Sequence, residues 1–158
     1  MEDRHATLHH LSSILGSHMF TSGKITAFIR TARVARLATA DAKGQPHVIP
    51  ICYVFDGKEF FSPIDEKPKQ TPPTKLKRLR NITENSKISL VIDRYDENWR
   101  HLAYVLVTGE ARIVLSGTKH ASAVKRLRAK YAQYRRMAIH ERPMIVITPR
   151  QLKSWGEL

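Results

Sequence analysis

The chain has a single cysteine, Cys52, so it can form no internal disulfide. That fits a reducing setting, and a cytoplasmic protein is expected. Cys52 stands in an apolar strand-like run and reads as a small core residue rather than a nucleophile. No apolar stretch approaches the roughly 18 residues that a membrane-spanning helix needs, and no secretory signal is recognisable. No membrane partner is expected. Motifs that carry chemistry are missing too. There is no strand–Gly-x-Gly-x-x-Gly–helix, no P-loop lysine, no Cys-x-x-Cys and no His-Glu-x-x-His, and no Ser/His/Asp set sits on a recognisable elbow. These absences argue against a Rossmann dinucleotide site, a P-loop nucleotidase, a zinc centre and a triad hydrolase. Any chemistry here is brought by a bound cofactor.

Acidic residues are also scarce. Against 27 Lys and Arg there are 14 Asp and Glu, a formal net charge of +13. No acid falls between Ala111 and His140, where Lys119, Lys125, Arg126, Arg128, Lys130, Arg135 and Arg136 crowd together. Such an excess points to anionic partners: phosphorylated cofactors, nucleic acid or acidic lipid. Aromatics make up 8% of the chain and do not interleave with the cations, which counts against a base-stacking platform and so against nucleic acid.

At 158 residues, 42% apolar and 26% charged, the chain reads as one globular domain. Residues 1–18 stand apart. They hold four of the eight histidines, and His9-His10-Leu11-Ser12-Ser13 followed by Gly16-Ser17-His18-Met19 resembles an expression tag with its cleavage scar. The folded domain is therefore expected over 19–158. No metal site is expected from those histidines.

Thr21 or Ser22 can cap a short helix with Ile25, Phe28 and Ile29 on one face. Val34–Ala40, His47–Phe55 and Lys58–Pro63 read as three meandering strands. The first two are joined by a turn ending at Gly44, the second and third by the two-residue hairpin signal Asp56-Gly57. Pro50 marks an edge, a bulge or a ligand-facing break in the second strand. A basic stretch follows, with six Lys or Arg and no acid from Lys67 to Arg80. Leu76, Leu79 and Ile82 give its second half one apolar helical face, and Pro72 or Pro73 suits the first turn. A cationic loop running into a helix start can cradle a phosphate. Lys87–Asp93 is expected as a buried strand, Arg94–Arg100 as a polar loop around Trp99, and Leu102–Leu115 as a long strand bulged at Gly109. A helix is expected over Gly117–Arg135, then a last strand Met144–Thr148, with Leu152–Trp155 packed near the end. Antiparallel strands with helices outside suggest a small, mainly β barrel of the α+β class.

Taken in order, Ala35-Arg36-Leu37-Ala38-Thr39, Gly44-Gln45-Pro46-His47-Val48-Ile49-Pro50, Asp65-Glu66-Lys67-Pro68-Lys69, Leu79-Arg80-Asn81-Ile82, Asp93-Arg94-Tyr95-Asp96-Glu97-Asn98-Trp99 and Gly109-Glu110-Ala111 form a series. The series resembles the pyridoxamine 5′-phosphate oxidase-like flavin and deazaflavin oxidoreductases, and within them the F420-dependent branch. The resemblance covers about residues 20–156. It implies a split β-barrel of the FMN-binding kind with short flanking helices, and a homodimer with two cofactor grooves between subunits. The cofactor is coenzyme F420 or, as the alternative, FMN. Hydride passes to a small-molecule acceptor, planar and unsaturated. Carried onto this chain, the backbone of Val48, Ile49, Pro50 and Ile51 lines the ring with Ser62 beside it. Lys67 and Lys69 are the first choices for the phosphate, and Lys77 and Arg78 the second. Trp99 is a candidate wall and Trp155 another. The branch usually has an acid before that tryptophan; here Asn98 stands in its place. No catalytic residue is assigned, and a proton comes from solvent or from Tyr104. A flavin-binding protein without turnover is the other reading of the same fold.

Overall fold

The computed structural model describes residues 22–65 and 76–158. The tag-like segment, Thr21, Lys67, Lys69 and the two prolines before the basic helix lie outside them. Three helices, α1 (Gly23–Thr31), α2 (Lys77–Glu84) and α3 (Thr118–Lys130), flank seven strands: β1 (Ala35–Ala40), β2 (Pro46–Ile51), β3 (Val54–Phe55), β4 (Phe60–Pro63), β5 (Lys87–Arg94), β6 (Ala103–Val114) and β7 (Met144–Gly156). The strands form one antiparallel sheet in the order β2-β1-β5-β6-β7-β4-β3.

β2 and β3 occupy opposite ends of that order, yet only Cys52 and Tyr53 separate them in the chain. Two residues cannot span a flat seven-stranded sheet, whose strands lie about 4.8 Å apart. The sheet therefore curls until its ends meet, which is the split barrel. The expected meander is corrected here, because β2 pairs only with β1, and β3 and β4 close the far side. Cys52 lies in this seam between the strands, half-buried, rather than within one. The second turn also differs: Phe55 pairs with Phe60, so four residues rather than two make the reversal. Asp56 stabilises that longer turn by accepting from the amides of Lys58 and Glu59 at 2.8 Å each.

Alternation along the strands sorts the side chains into two cores. Leu37, Leu90, Ile92, Val105, Val107, Ile145 and Ile147 fill the barrel, and α1 and α2 pack Ile29, Leu79 and Ile82 onto this cluster. On the other face of β3, β4 and β7, Val54, Phe61, Met144 and Val146 meet Ala123, Val124 and Leu127 of α3. Pro50 and Pro46 are in β2, at the sheet edge where a missing amide proton costs least.

Three further boundaries depart from expectation. Ser22 occupies the N-cap of α1 but makes no capping bond. The third helix ends at Lys130 because Tyr131 turns extended and enters the seam. Its hydroxyl lies 2.8 Å from the carbonyls of both Arg33 and Tyr53 and accepts from the Tyr53 amide at 3.1 Å. A short 3-10 turn, Ala132–Arg135, continues the chain. Finally, β7 is one strand of 13 residues. Pro149 sits opposite Gly109, and the bulge expected on β6 lies instead on β7, where Arg150 is the extra residue.

Glu59 ties the α3 side together. Its carboxylate accepts from Arg112 at 2.9 Å, Lys119 at 2.6 Å and Thr148 at 3.0 Å. Burial pushes its pKa up, but those three donors outweigh burial and hold it down at about 2. Because the folded pKa lies below the unfolded one, this stabilisation is complete above about pH 4.5. It is lost as pH falls through the window down to about 2. Glu59→Gln is expected to cost about 1–2 kcal/mol at pH 7, the lower range for charge-assisted bonds with exposed partners. The gap between the two melting temperatures should close as the pH is lowered through that window. A gap that stays constant down to pH 2 would show that the carboxylate's charge is not what matters.

Candidate functional site

Among the described residues, the three helices leave a broad surface uncovered: the outer side of β2, β1, β5, β6 and the C-terminal half of β7. Strand register fixes its rows. Pro50, Arg36, Val91, Leu106 and Lys153 stand side by side, as do Val48, Ala38, Ser89, Thr108 and Gln151. At one end, Asp93, Tyr104 and Trp155 form a third row. Val48 is exposed on the edge strand, and Tyr104 and Trp155 are exposed on the inner strands β6 and β7, unusual for side chains of their size. The rings of Tyr104 and Trp155 stack with centroids 5.9 Å apart and planes 20° from parallel.

The residues nominated from sequence distribute as follows. Val48 and Pro50 point outward on the edge strand, while Ile49 and Ile51 turn toward the barrel core. β2 has a strand partner on one side only, so its other backbone edge is open among the described residues. Ser62 is buried and faces the side that Ile145 faces, since the two are register partners. Its backbone, in the strand beside β3, lies across the seam from β2. Trp99 is 74% exposed, in a 3-10 turn of the β5–β6 loop. That turn is built by Asp96, which accepts from the amide of Asn98, and by Asn98, which accepts from the amide of Arg100. Asn98, standing where an acid was anticipated, therefore serves as a turn-former. His101 closes the loop, its Nδ1 3.3 Å from Asp96. Sequence reasoning passed over His101, and its five-residue spacing from Asp96 carries no recognisable motif.

Of the two second-choice cations, Lys77 is held by an ion pair. Lys77 Nζ pairs with Asp41 at 2.9 Å, and that bond, with the amide of Gln45, lowers the Asp41 pKa. Burial lowers the pKa of the Arg78 guanidinium, opposed by the charge of Asp65. Asn81 packs beneath them, fully buried. Its Nδ2 donates to Thr39 at 3.0 Å, and its Oδ1 has no partner among the described residues. Within those residues no group of three or more His, Cys, Asp or Glu could hold a metal ion.

A barrel whose end strands are joined by two residues is the split barrel the motif series implied. The model of the family described as pyridoxamine 5′-phosphate oxidase matches residues 21–156. The chain belongs to that family. Among solved structures, it is similar to a conserved hypothetical protein, Rv2991, from Mycobacterium tuberculosis, with 21% identity and a TM-score of 0.70 over 86% of this chain and 84% of that one. It is similar to HutZ, the heme storage protein from Vibrio cholerae, at 15% identity and TM-score 0.67, covering 87% and 95%. An F420 reductase matches at 20% identity and TM-score 0.58, covering 84% and 97%. Identities this low speak to the fold alone. No curated protein matches the chain in sequence. Among the described residues no helix is long and apolar enough to cross a membrane.

Proposed function

We propose that this pyridoxamine 5′-phosphate oxidase-family protein is an oxidoreductase that holds a flavin-type cofactor, coenzyme F420 in preference to FMN, in a groove between two copies of the chain. The observation that carries the reading is the uncovered sheet face bordered by the open edge of β2. A second copy laid on the Val48 and Val91 rows covers Val48, Pro50, Val91 and Leu106 and leaves a slot along β2, where ring edge and strand backbone meet. Backbone amides and carbonyls of Val48–Ile51 on one side of the seam, and of Ser62 on the other, supply hydrogen bonds to the polar edge of a tricyclic ring. Lys67 and Lys69, between β4 and α2 in the chain, come first for the phosphate, ahead of Lys77, which is paired with Asp41. The excess charge of +13 favours a cofactor with several anionic groups, which is why F420 is placed ahead of FMN.

When bound, such a cofactor supplies a hydride equivalent. The protein's part is to fix the ring, keep water from its reactive face and seat a small unsaturated acceptor against it. No side-chain acid or base close to the strand backbone of β2 is required, in keeping with the proton coming from solvent or Tyr104.

Calorimetric titration of the protein with F420 and, separately, with FMN tests the proposal, with sedimentation giving the assembly state. Low-micromolar F420 binding to a dimer, with weaker FMN binding, is the expected result. Preference for FMN reassigns the cofactor within the same groove. A monomer that binds neither removes the oxidoreductase reading.

A further inference from the structure

Beside the proposed cofactor edge, the structure has a second feature. The C-terminal end of α1, the start of β1 and the end of β5 enclose a hollow of about 400 Å³ whose walls include Phe28, Arg33, Arg36, Asp93, Arg94 and Tyr95. Three guanidiniums and one carboxylate give this lining a formal charge of +2. Arg36 pairs with Asp93 at 2.5 Å. Arg33 donates to the Lys130 carbonyl at 2.9 Å and lies over the Tyr131 ring, 4.8 Å from its centroid. Arg94 donates to the carbonyls of His101 and Glu157 and lies over Phe28. These contacts fix the guanidiniums and spend only some of the five N–H donors each carries.

Register places the hollow between two other elements. Arg36 is the cross-strand neighbour of Pro50, so the hollow begins one strand from the backbone assigned to the ring. On its other side Asp93 neighbours Tyr104, and Tyr104 neighbours the stacked Trp155. Two strand spacings carry the surface about 10 Å from Asp93 to Trp155. A fixed cluster of guanidiniums binds a carboxylate through paired N–H bonds. An exposed aromatic pair takes a flat ring against its face. Adjacent on one sheet, the two select a molecule with an anionic head and a planar body.

We propose that this hollow and the Tyr104–Trp155 stack are the acceptor site, and that the acceptor is a planar conjugated carboxylate. The inference rests on the flavin-type reading for the source of hydride. In the reduction, the carbon–carbon double bond gains a hydride at the β-carbon from the reduced cofactor and a solvent proton at the α-carbon. The acceptor is thereby reduced by two electrons and the cofactor oxidised by two.

Binding of trans-cinnamate and its neutral isostere cinnamamide, measured by calorimetry on the full chain with and without cofactor, tests the site. Cinnamate is expected to bind at least tenfold more tightly than the amide. Trp155→Leu should weaken both ligands tenfold or more, and Arg33→Gln should weaken cinnamate alone. Asp93→Asn, which raises the lining charge by one, should tighten cinnamate threefold or more, a gain that a misfolded variant cannot imitate. Equal binding of acid and amide would overturn the proposal, and so would failure of cinnamate to bind to protein that binds its cofactor. Cinnamate binding without any cofactor binding would instead sink the oxidoreductase reading and leave the hollow as an anion site.

Discussion

Gly109→Ala is expected to lower stability by about 2–4 kcal/mol and the melting temperature by roughly 5–15 °C. A Cβ built at Gly109 falls 2.3 Å from the Thr148 carbonyl oxygen and 3.0 Å from the Pro149 Cα. Both obstacles are backbone, so no side chain can swing aside. Every residue of β6 from Ala103 to Val114 pairs with β7, and the bulge at Arg150, opposite Gly109, sets the register of that pair. Relieving the clash means moving β7, which carries Ile145 and Ile147 into the barrel and Met144 and Val146 toward α3. Gly23→Ala serves as the control, since nothing lies within 4 Å of a Cβ placed there. It should leave the melting temperature within about 2 °C of the parent. If the two substitutions had equal effects, the bulge would not be the register lock that the geometry makes it.

The bulge also shows what the sequence could and could not tell. Gly109 inside an alternating run announces a bulge on β6, but the extra residue lies on β7, where Arg150 has no partner between Thr108↔Gln151 and Gly109↔Pro149. The continuation of β7 past Thr148 is not legible, because only the pairing with β6 shows that the strand bulges at Arg150, beside Pro149, and then runs on. The same contrast recurs at the seam. The strands β1, β2, β4, β5 and β6 follow from alternation and turn residues, all local signals. That β2 and β3 belong to opposite ends of the sheet is a long-range fact, fixed by which barrel wall each strand completes. Tyr131 behaves likewise. Helical spacing places it on the apolar side of α3, but three hydrogen bonds to chain 78 and 98 residues away pull it out of the helix.

At the candidate site, what was legible was the family frame. Val48 and Pro50 are exposed on the edge strand and Trp99 on the β5–β6 loop, but alternation and turn residues say nothing of what they contact. Arg33, Arg36 and Arg94 were scattered single cations in the sequence, and only the pairing of β1 with β5 and the packing of α1 bring them into one hollow. The Asp41–Lys77 pair was equally hidden, because 36 residues separate a turn aspartate from a helix lysine. That pair changes which cations can serve the cofactor.

Replacing both Lys67 and Lys69 by Ala is accordingly expected to weaken cofactor binding a hundredfold or more, while Lys77→Ala weakens it less than about threefold. A charge-assisted hydrogen bond contributes about 1.5–3 kcal/mol, so two lost together reach at least two orders of magnitude. Lys77 has little to lose toward a phosphate, because Asp41 already holds its ammonium at 2.9 Å and the turn amides of Lys43 and Gln45 hold Asp41 in place. Its removal should act on the β1–β2 turn and the start of α2, showing as a lower melting temperature. Asp41→Asn completes the argument. With its carboxylate neutralised, Lys77 becomes available, and cofactor binding should recover part of its strength when Asp41→Asn is added to the Lys67/Lys69 double variant. Calorimetry on the four proteins at one ionic strength separates the possibilities. A Lys77→Ala loss as large as that of the double variant would put the phosphate at the start of α2 and make the loop lysines bystanders.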